Sequence, residues 1–196
     1  MIFELKNKDF AIYVLDNVDY GTLAMCTKNI PYSVPINFVR IGNLICFHTG
    51  ESGKKITFLK KNSVVSLSVV KEFSLIPSYF SSDDKIACKA TQFFASVIID
   101  GKITFVKDVY EKISILEGFM DKYQPEGKYD PFEKHREMVE LTTVFTLIPK
   151  NLSLKLKFGQ NLPEERFKKI LNYLENRGTE KDMETIKMMN ELRKKR

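Results

Sequence analysis

The chain reads as a mainly β protein, a small β-barrel with helices inserted into it and at its C-terminus. Between residues 21 and 106, runs rich in β-branched and aromatic residues are separated by turn residues. Helical periodicity is confined to the beginning of the chain, to single stretches after the third and fifth runs, and to the tail. Strand and helix patterns do not alternate as βαβαβ, which disfavours a parallel doubly wound sheet.

Phe10, Val14 and Val18 sit at helical spacing and predict a short helix ending before Tyr20. Three strands follow, Gly21 to Thr27, Tyr32 to Arg40 and Asn43 to His48, with turns at Asn29-Ile30-Pro31 and Gly42-Asn43. Pro35 cannot donate to a ladder, so it marks an edge, a bulge, or a place where something other than a neighbouring strand meets the backbone. Glu51 to Lys61, with Ile56, Phe58 and Leu59, predicts one short helix, and Ser63 to Val70 a strand. From Lys71 to Thr91 periodicity is lost, which predicts a long surface loop.

Gln92 to Val106 is the longest strand region, with a turn or bulge expected at Asp100-Gly101. Asp108 caps a helix running to about Tyr123, with Val109, Ile113, Leu116 and Met120 on one face. Val139 to Ile148 is the last strand. Pro163 opens a helix with Glu164 and Glu165 in its first turn, Phe167, Ile170, Leu171 and Leu174 on one face, and Gly178 as its stop. A second tail helix begins at Thr179 or Glu180. The expectation is about six mostly antiparallel strands, with residues 1–160 as one domain and 161–196 as a helical extension packed on it.

With 196 residues and 43% apolar side chains, the chain can bury one domain's core. Residues 1–149 hold 18 basic and 18 acidic side chains and residues 150–196 hold 13 and 7, so the tail carries the whole net charge of +6. The terminal Arg193, Lys194, Lys195 and Arg196 complement a helix C-terminus. No base-reading motif accompanies them, so nucleic acid is not an expected partner. Met1 to Phe10 intersperses charges among its apolar residues and no later stretch suits a membrane span, which leads us to expect a cytoplasmic protein with no membrane partner. Cys26, Cys46 and Cys88 fit neither a disulfide framework nor a zinc spacing, so we expect buried reduced thiols and no metal site.

Dinucleotide and P-loop fingerprints are absent, as is a nucleophile elbow. What remains is Cys46-Phe-His-Thr-Gly-Glu-Ser-Gly-Lys-Lys-Ile56, where a strand ends in polar groups and a lysine pair opens a helix. Two readings fit it. Helix-start amides, a hydroxyl of Thr49 or Ser52 and the ammonium groups of Lys54 and Lys55 can neutralise a dianionic phosphate. Equally, Gly50 to Gly53 can be a plain turn, and Lys54, Lys55, Lys60 and Lys61 a solvated helix face.

The order of several motifs resembles the FMN-binding split β-barrel of the pyridoxamine 5'-phosphate oxidase superfamily, most closely its nitroimidazole-resistance branch. The pieces are Tyr20-Gly-Thr-Leu-Ala24, Pro31-Tyr-Ser-Val-Pro-Ile-Asn-Phe38, Phe47-His-Thr-Gly50 with Gly53-Lys-Lys55, Asn62 through Ser66 to Val69, Ala87-Cys88 with Thr91, and Phe94-Ala-Ser-Val97 leading to Gly101-Lys102.

The resemblance implies FMN as cofactor. Val34, Pro35, Ile36 and Asn37 would lie along its ring, His48, Thr49, Lys54 and Lys55 at its phosphate and ribityl chain, and Ser96 would be a polar contact. His48 would also be the candidate proton donor. At one position lysine replaces an arginine of the oxidase branch, keeping the charge but losing the bidentate fork.

A homodimer with FMN between its subunits is implied as well, with Phe158, Gln160 or Asn161 reaching the partner's flavin. So is an FMN-dependent oxidoreductase acting on a small, possibly nitroaromatic, acceptor with NAD(P)H as a source of electrons. An FMN sensor or transcriptional regulator is the alternative, and a haem-binding barrel with His48 as axial ligand a weaker one. The oxidase branch's C-terminal substrate-binding pattern is missing, so pyridoxamine phosphate is not the implied substrate.

Overall fold

A computed structural model describes residues 5–81 and 86–194. Its elements are α1 (Leu5–Asp16), β1 (Tyr20–Thr27), β2 (Ile30–Asn37), β3 (Val39–Ile41), β4 (Leu44–Thr49), α2 (Lys54–Lys61), β5 (Val64–Ile76), α3 (Ser78–Ser81), β6 (Thr91–Val106), α4 (Val109–Tyr123), α5 (Arg136–Leu141), β7 (Thr143–Lys157), α6 (Glu164–Arg177) and α7 (Glu180–Lys194). The strands form one sheet in the order β2-β1-β5-β6-β7-β4-β3. The pairs β1–β2, β1–β5, β3–β4 and β4–β7 are antiparallel. This is the expected mainly β split barrel with helices inserted and at the C-terminus. No helix among the described residues is long and apolar enough to cross a membrane.

The chain divides into two units, Met1–Val69 with Val97–Leu154, and Val70–Ser96 with Lys155–Arg196. In the first, alternation along β1 turns Gly21, Leu23 and Met25 inward. The short connection at Lys28 and Asn29, both at positive φ, sets the β1–β2 register from Thr27↔Ile30 to Tyr20↔Asn37. Phe10, Ala11, Val14 and Leu15 of α1 are buried, and the helix ends before Val18. Asp108 caps α4 by accepting from the Glu111 amide at 2.9 Å. Ile113, Leu116 and Phe119 of α4 pack with Val39, Cys46, Val139 and Val144.

In the second unit α6 buries Phe167, Ile170 and Leu174 and stops at Gly178 in the left-handed region. Buried Asp182 receives Arg177 Nε at 2.8 Å, and this bond, with a further one from Ser74, holds its carboxyl well below the ordinary range. Fully buried Phe158 packs edge-on against Phe73, ring centres 4.6 Å apart. Its ring is therefore committed inside its own chain.

Several expectations are corrected. Among the described residues there are seven strands where about six were expected, because β2 and β3 part at Phe38, whose N–H donates to Tyr123 Oη at 3.2 Å while its carbonyl accepts from the same hydroxyl at 2.9 Å. The stretch after Val70 is not loop: β5 continues to Ile76, burying Phe73, Ser74 and Ile76. Its charged pair is satisfied from α7, Lys71 by Glu184 at 3.2 Å and Glu72 by Lys181 at 3.8 Å. Asp83 and Asp84 of that stretch lie outside the described residues, as do Lys195 and Arg196. Asp100 and Gly101 make no turn, since β6 runs unbroken from Thr91 to Val106. A Cβ at Gly101 would lie 2.2 Å from the Ile148 carbonyl oxygen, so the glycine admits a close backbone approach. The last strand starts at Thr143, because Val139 is the buried side chain of α5, and it runs on to Lys157.

Candidate functional site

The end of β4 and the start of α2 carry the site. Pairing with β7, His48↔Val144 and Thr49↔Thr143, fixes the strand end. His48 is on the exposed side, its ring set edge-on to Phe119 of α4 with centres 4.5 Å apart at 84°. The chain then turns through Gly50 to Gly53. Gly53 has φ 119°, a conformation that L residues rarely adopt, and begins α2. Ile56, Phe58 and Leu59 anchor the buried face of that helix, which leaves Lys54 exposed and Lys55 half-buried in its first turn, a turn that holds no acidic residue.

The electrostatics follow from this placement. Burial holds the Lys55 ammonium below the ordinary lysine range. Burial, and then the Lys55 charge, hold the His48 imidazole below the ordinary histidine range. The Lys54 Nζ lies 4.4 Å from the centre of the Tyr32 ring on β2, and that ring is 5.1 Å from Phe58. Among the described residues, the side chains of His48, Thr49, Lys54 and Lys55 make no hydrogen bond or ion pair within the chain. Among the described residues, therefore, no carboxylate pairs with either Lys54 or Lys55.

The strand that Lys54 touches is the outermost of the sheet order. Pro35, opposite Thr22 and exposed, thus sits on an edge, the first of the three readings its position allowed. Val34 is half-buried and Ile36 buried, while Asn37 donates to the Asp19 carbonyl at 3.1 Å. The structure brings β2, β4 and α2 residues of the first unit together in this way. Ser96 stands half-buried on β6 in the second unit.

Other participants escaped the sequence reading. Lys122 Nζ, 4.1 Å from the Phe38 ring centre, donates to the carbonyls of Leu15, Val18 and Phe38, which fixes the break between β2 and β3. Lys112 Nζ caps α5 by donating to the carbonyls of Glu140 and Thr142 at 2.8 and 2.7 Å. Met138 and Leu141 of α5, 68% and 62% exposed, line a shallow pocket of about 490 Å³ together with His48, Thr49 and Gly50. A lysine inside the apolar stripe of α4 was the available signal for Lys112. Met138 and Leu141 carry none, because the pattern from Val139 to Ile148 reads as a strand and puts Leu141 inside it. The expectation of buried thiols holds for Cys46 and fails for Cys26 and Cys88, both exposed. Cys26 falls on the outward side of the β1 alternation.

The sequence profile of the pyridoxamine 5'-phosphate oxidase family matches residues 8–156. The chain belongs to this family. Comparison with curated proteins gives no match. Among solved structures, a protein assigned to 5-nitroimidazole antibiotic resistance in Bacteroides thetaiotaomicron superposes with TM-score 0.61 at 20% identity, over 79% of this chain and 85% of its own. The flavocytochrome Anf3 of Azotobacter vinelandii gives 0.63 at 19%, over 76% of this chain and 67% of its own. An FAD- and heme-binding protein of Mycobacterium smegmatis gives 0.61 at 17%, over 76% and 71%. These likenesses show the fold, and the profile match over residues 8–156 bears out the family resemblance read from the motifs.

Proposed function

We propose that this chain binds FMN and acts as an FMN-dependent oxidoreductase on a small acceptor, nitroaromatic compounds included, with NAD(P)H as electron source. The observation that carries the reading is the uncompensated pair Lys54 and Lys55 at the start of α2, beside His48 and Thr49 and tied through Tyr32 to an edge strand. A phosphate dianion matches two ammonium groups, a hydroxyl and helix-start amides. An edge strand has backbone groups left over for a planar ring, and Pro35 removes one donor that a further strand would need. Two of the matched proteins are described as a flavocytochrome and as FAD- and heme-binding, which supports flavin chemistry on this fold.

In this reading Lys54, Lys55 and Thr49 hold the phosphate, and Val34, Pro35, Ile36 and Asn37 line the ring. His48, neutral at pH 7, is the group able to hold or pass a proton. FMN, when bound, supplies hydride and electron transfer, so no side chain has to act as nucleophile. The exposed Met138 and Leu141 beside His48 support a homodimer in which a second copy covers the cofactor. The setting is cytoplasmic, without a nucleic-acid or membrane partner.

The test is a visible-spectrum titration of the purified protein with FMN, followed by anaerobic NADH or NADPH. Binding, then bleaching, is expected. Lys54→Ala with Lys55→Ala should weaken FMN at least about tenfold, since each charge-assisted hydrogen bond is worth about 1.5–3 kcal/mol, with the melting temperature unchanged. Unchanged affinity would overturn the phosphate assignment, bound flavin that never bleaches would favour the sensor, and a Soret band would favour haem at His48.

A further inference from the structure

In the first unit a second pocket, of about 710 Å³, opens between α1, the turn from β3 to β4, and the middle of β6 and of β7. That volume lies in the range of small-molecule sites. The pocket reaches the core, since it touches Ile99 and Ile45, which are 0% and 2% exposed. It also keeps apolar surface open to solvent, with Ile148 50% exposed and Ile12 and Leu152 half-buried. Among the described residues its apolar side chains are all aliphatic, and no aromatic ring lines it.

The polar side chains on its wall are Lys8, Arg40 and Asn43, all of them hydrogen-bond donors and none an acid. Arg40 is held in place by its own chain: Nε and Nη2 donate to the Asp16 carboxylate at 2.9 and 2.7 Å, and Nη1 donates to the Gly42 carbonyl at 3.0 Å. Those bonds use three of the five N–H groups of a guanidinium, and the others have no partner among the described residues. Asp16 compensates the Arg40 charge, so the net positive charge of the wall comes from Lys8. Lys8 is exposed, stands one turn before Ile12 on the same face of α1, and makes no hydrogen bond or ion pair among the described residues. An aliphatic pocket with one unpaired ammonium group and fixed donors beside it matches an alkyl chain ending in a single negative charge. A carboxylate is such a group at pH 7, whereas a flat ring finds no ring here to stack on.

We propose that this pocket binds a free medium-chain fatty carboxylate, its chain against Ile12, Ile99 and Leu152 and its headgroup on Lys8 and Arg40. The site shares no residue with the FMN contacts proposed above and draws on the start of β4, where those draw on its end, so it stands whether or not the chain binds FMN. The test is calorimetric titration of the full chain with decanoate, octanoate, acetate and decanol, each below the concentration at which it self-associates. Decanoate should bind about tenfold more tightly than octanoate, because each buried methylene brings about a fourfold gain, and acetate should not bind. Decanol, with the same chain and no charge, should bind about fivefold more weakly than decanoate.

Lys8→Gln should bring decanoate down to the affinity of decanol and leave decanol unchanged. Ile12→Trp and Leu152→Trp fill the pocket from two different elements, so each should remove decanoate binding, and one that keeps the parent's melting temperature is enough to decide. Lys54→Ala with Lys55→Ala, or the addition of FMN, should leave decanoate affinity where it was. Absence of decanoate binding, an affinity indifferent to chain length or to charge, or displacement of decanoate by FMN would overturn the proposal. So would undiminished binding in a folded tryptophan variant, which would put the ligand elsewhere on the chain. Retention on phosphatidylglycerol vesicles without binding of monomeric decanoate would make this face a membrane contact and overturn it as well.

Discussion

Lys54 holds its ammonium 4.4 Å from the centre of the Tyr32 ring, joining the first turn of α2 to the edge strand β2. The contact places one of the two uncompensated cations over a side chain that the alternation of β2 half-buries. An exposed cation–π contact is worth about 0.5–1 kcal/mol. Tyr32→Leu should therefore weaken FMN about two- to fivefold in a spectral titration, whereas Tyr32→Phe keeps the ring and should keep the affinity. Equal losses in the two variants would show that the hydroxyl, and not the ring, matters.

His48 makes a pH prediction whose sign is fixed. Its folded pKa lies below the unfolded value of about 6.5, so between the two the unfolded chain binds more protons. The contribution to stability is complete above about pH 6.5 and is lost as pH falls through the folded value. Removing the Lys55 charge takes away the second cause, so Lys55→Ala should move the NMR titration midpoint of the His48 ring upward. A midpoint that stays in place would mean that burial acts alone.

Cys46 is 1% exposed, and burial, followed by the charge of Glu111, pushes its thiol up to about 12. The thiolate is the reactive form, so Cys46 should be inert to a disulfide reagent at pH 8. Cys26 and Cys88 are exposed and free. The native protein should give two fast thiols and release the third only on unfolding; three fast thiols would contradict the packing around Cys46.

Lys112 is 9% exposed and donates to the last carbonyls of α5. Lys112→Met fills the same space but leaves those carbonyls without a donor, at a cost of about 3 kcal/mol. For a chain of this length that corresponds to a fall of about 6–12 °C in Tm. The same variant should weaken FMN binding if α5 helps to shape the pocket at His48, and a Tm within 2 °C of the parent (roughly the shift of under 1 kcal/mol) would rule out the capping role.

Local elements were legible because their causes are local. Asp108 capping α4, Gly178 ending α6, and the alternation of β1 are written in a few adjacent residues. The motif from Cys46 to Ile56 likewise announced a strand end, a glycine turn and a lysine-led helix, and these are the elements found. Pro35 announced an exceptional strand position without saying which kind. In β5 and β6 the departures from the local pattern come from partners distant along the chain. Lys71 and Glu72 looked like loop because the residues that pair with them are on α7, more than a hundred positions later. Gly101 looked like a turn because the Ile148 carbonyl that excludes a side chain there belongs to another strand.

Periodicity, caps and motif order were therefore sufficient to establish a mainly β split barrel of the pyridoxamine 5'-phosphate oxidase family and to point to the β4–α2 segment. Tertiary structure alone decided that Lys54 rests on Tyr32, that burial and then the Lys55 charge hold the His48 imidazole below its ordinary range, that α5 exposes Met138 and Leu141 beside His48, and that Lys155 and Lys157 both approach Phe94. The physical reason is one of range. Backbone preference acts over a few residues, whereas burial, charge pairing and the meeting of side chains depend on which distant segments the sheet order sets side by side.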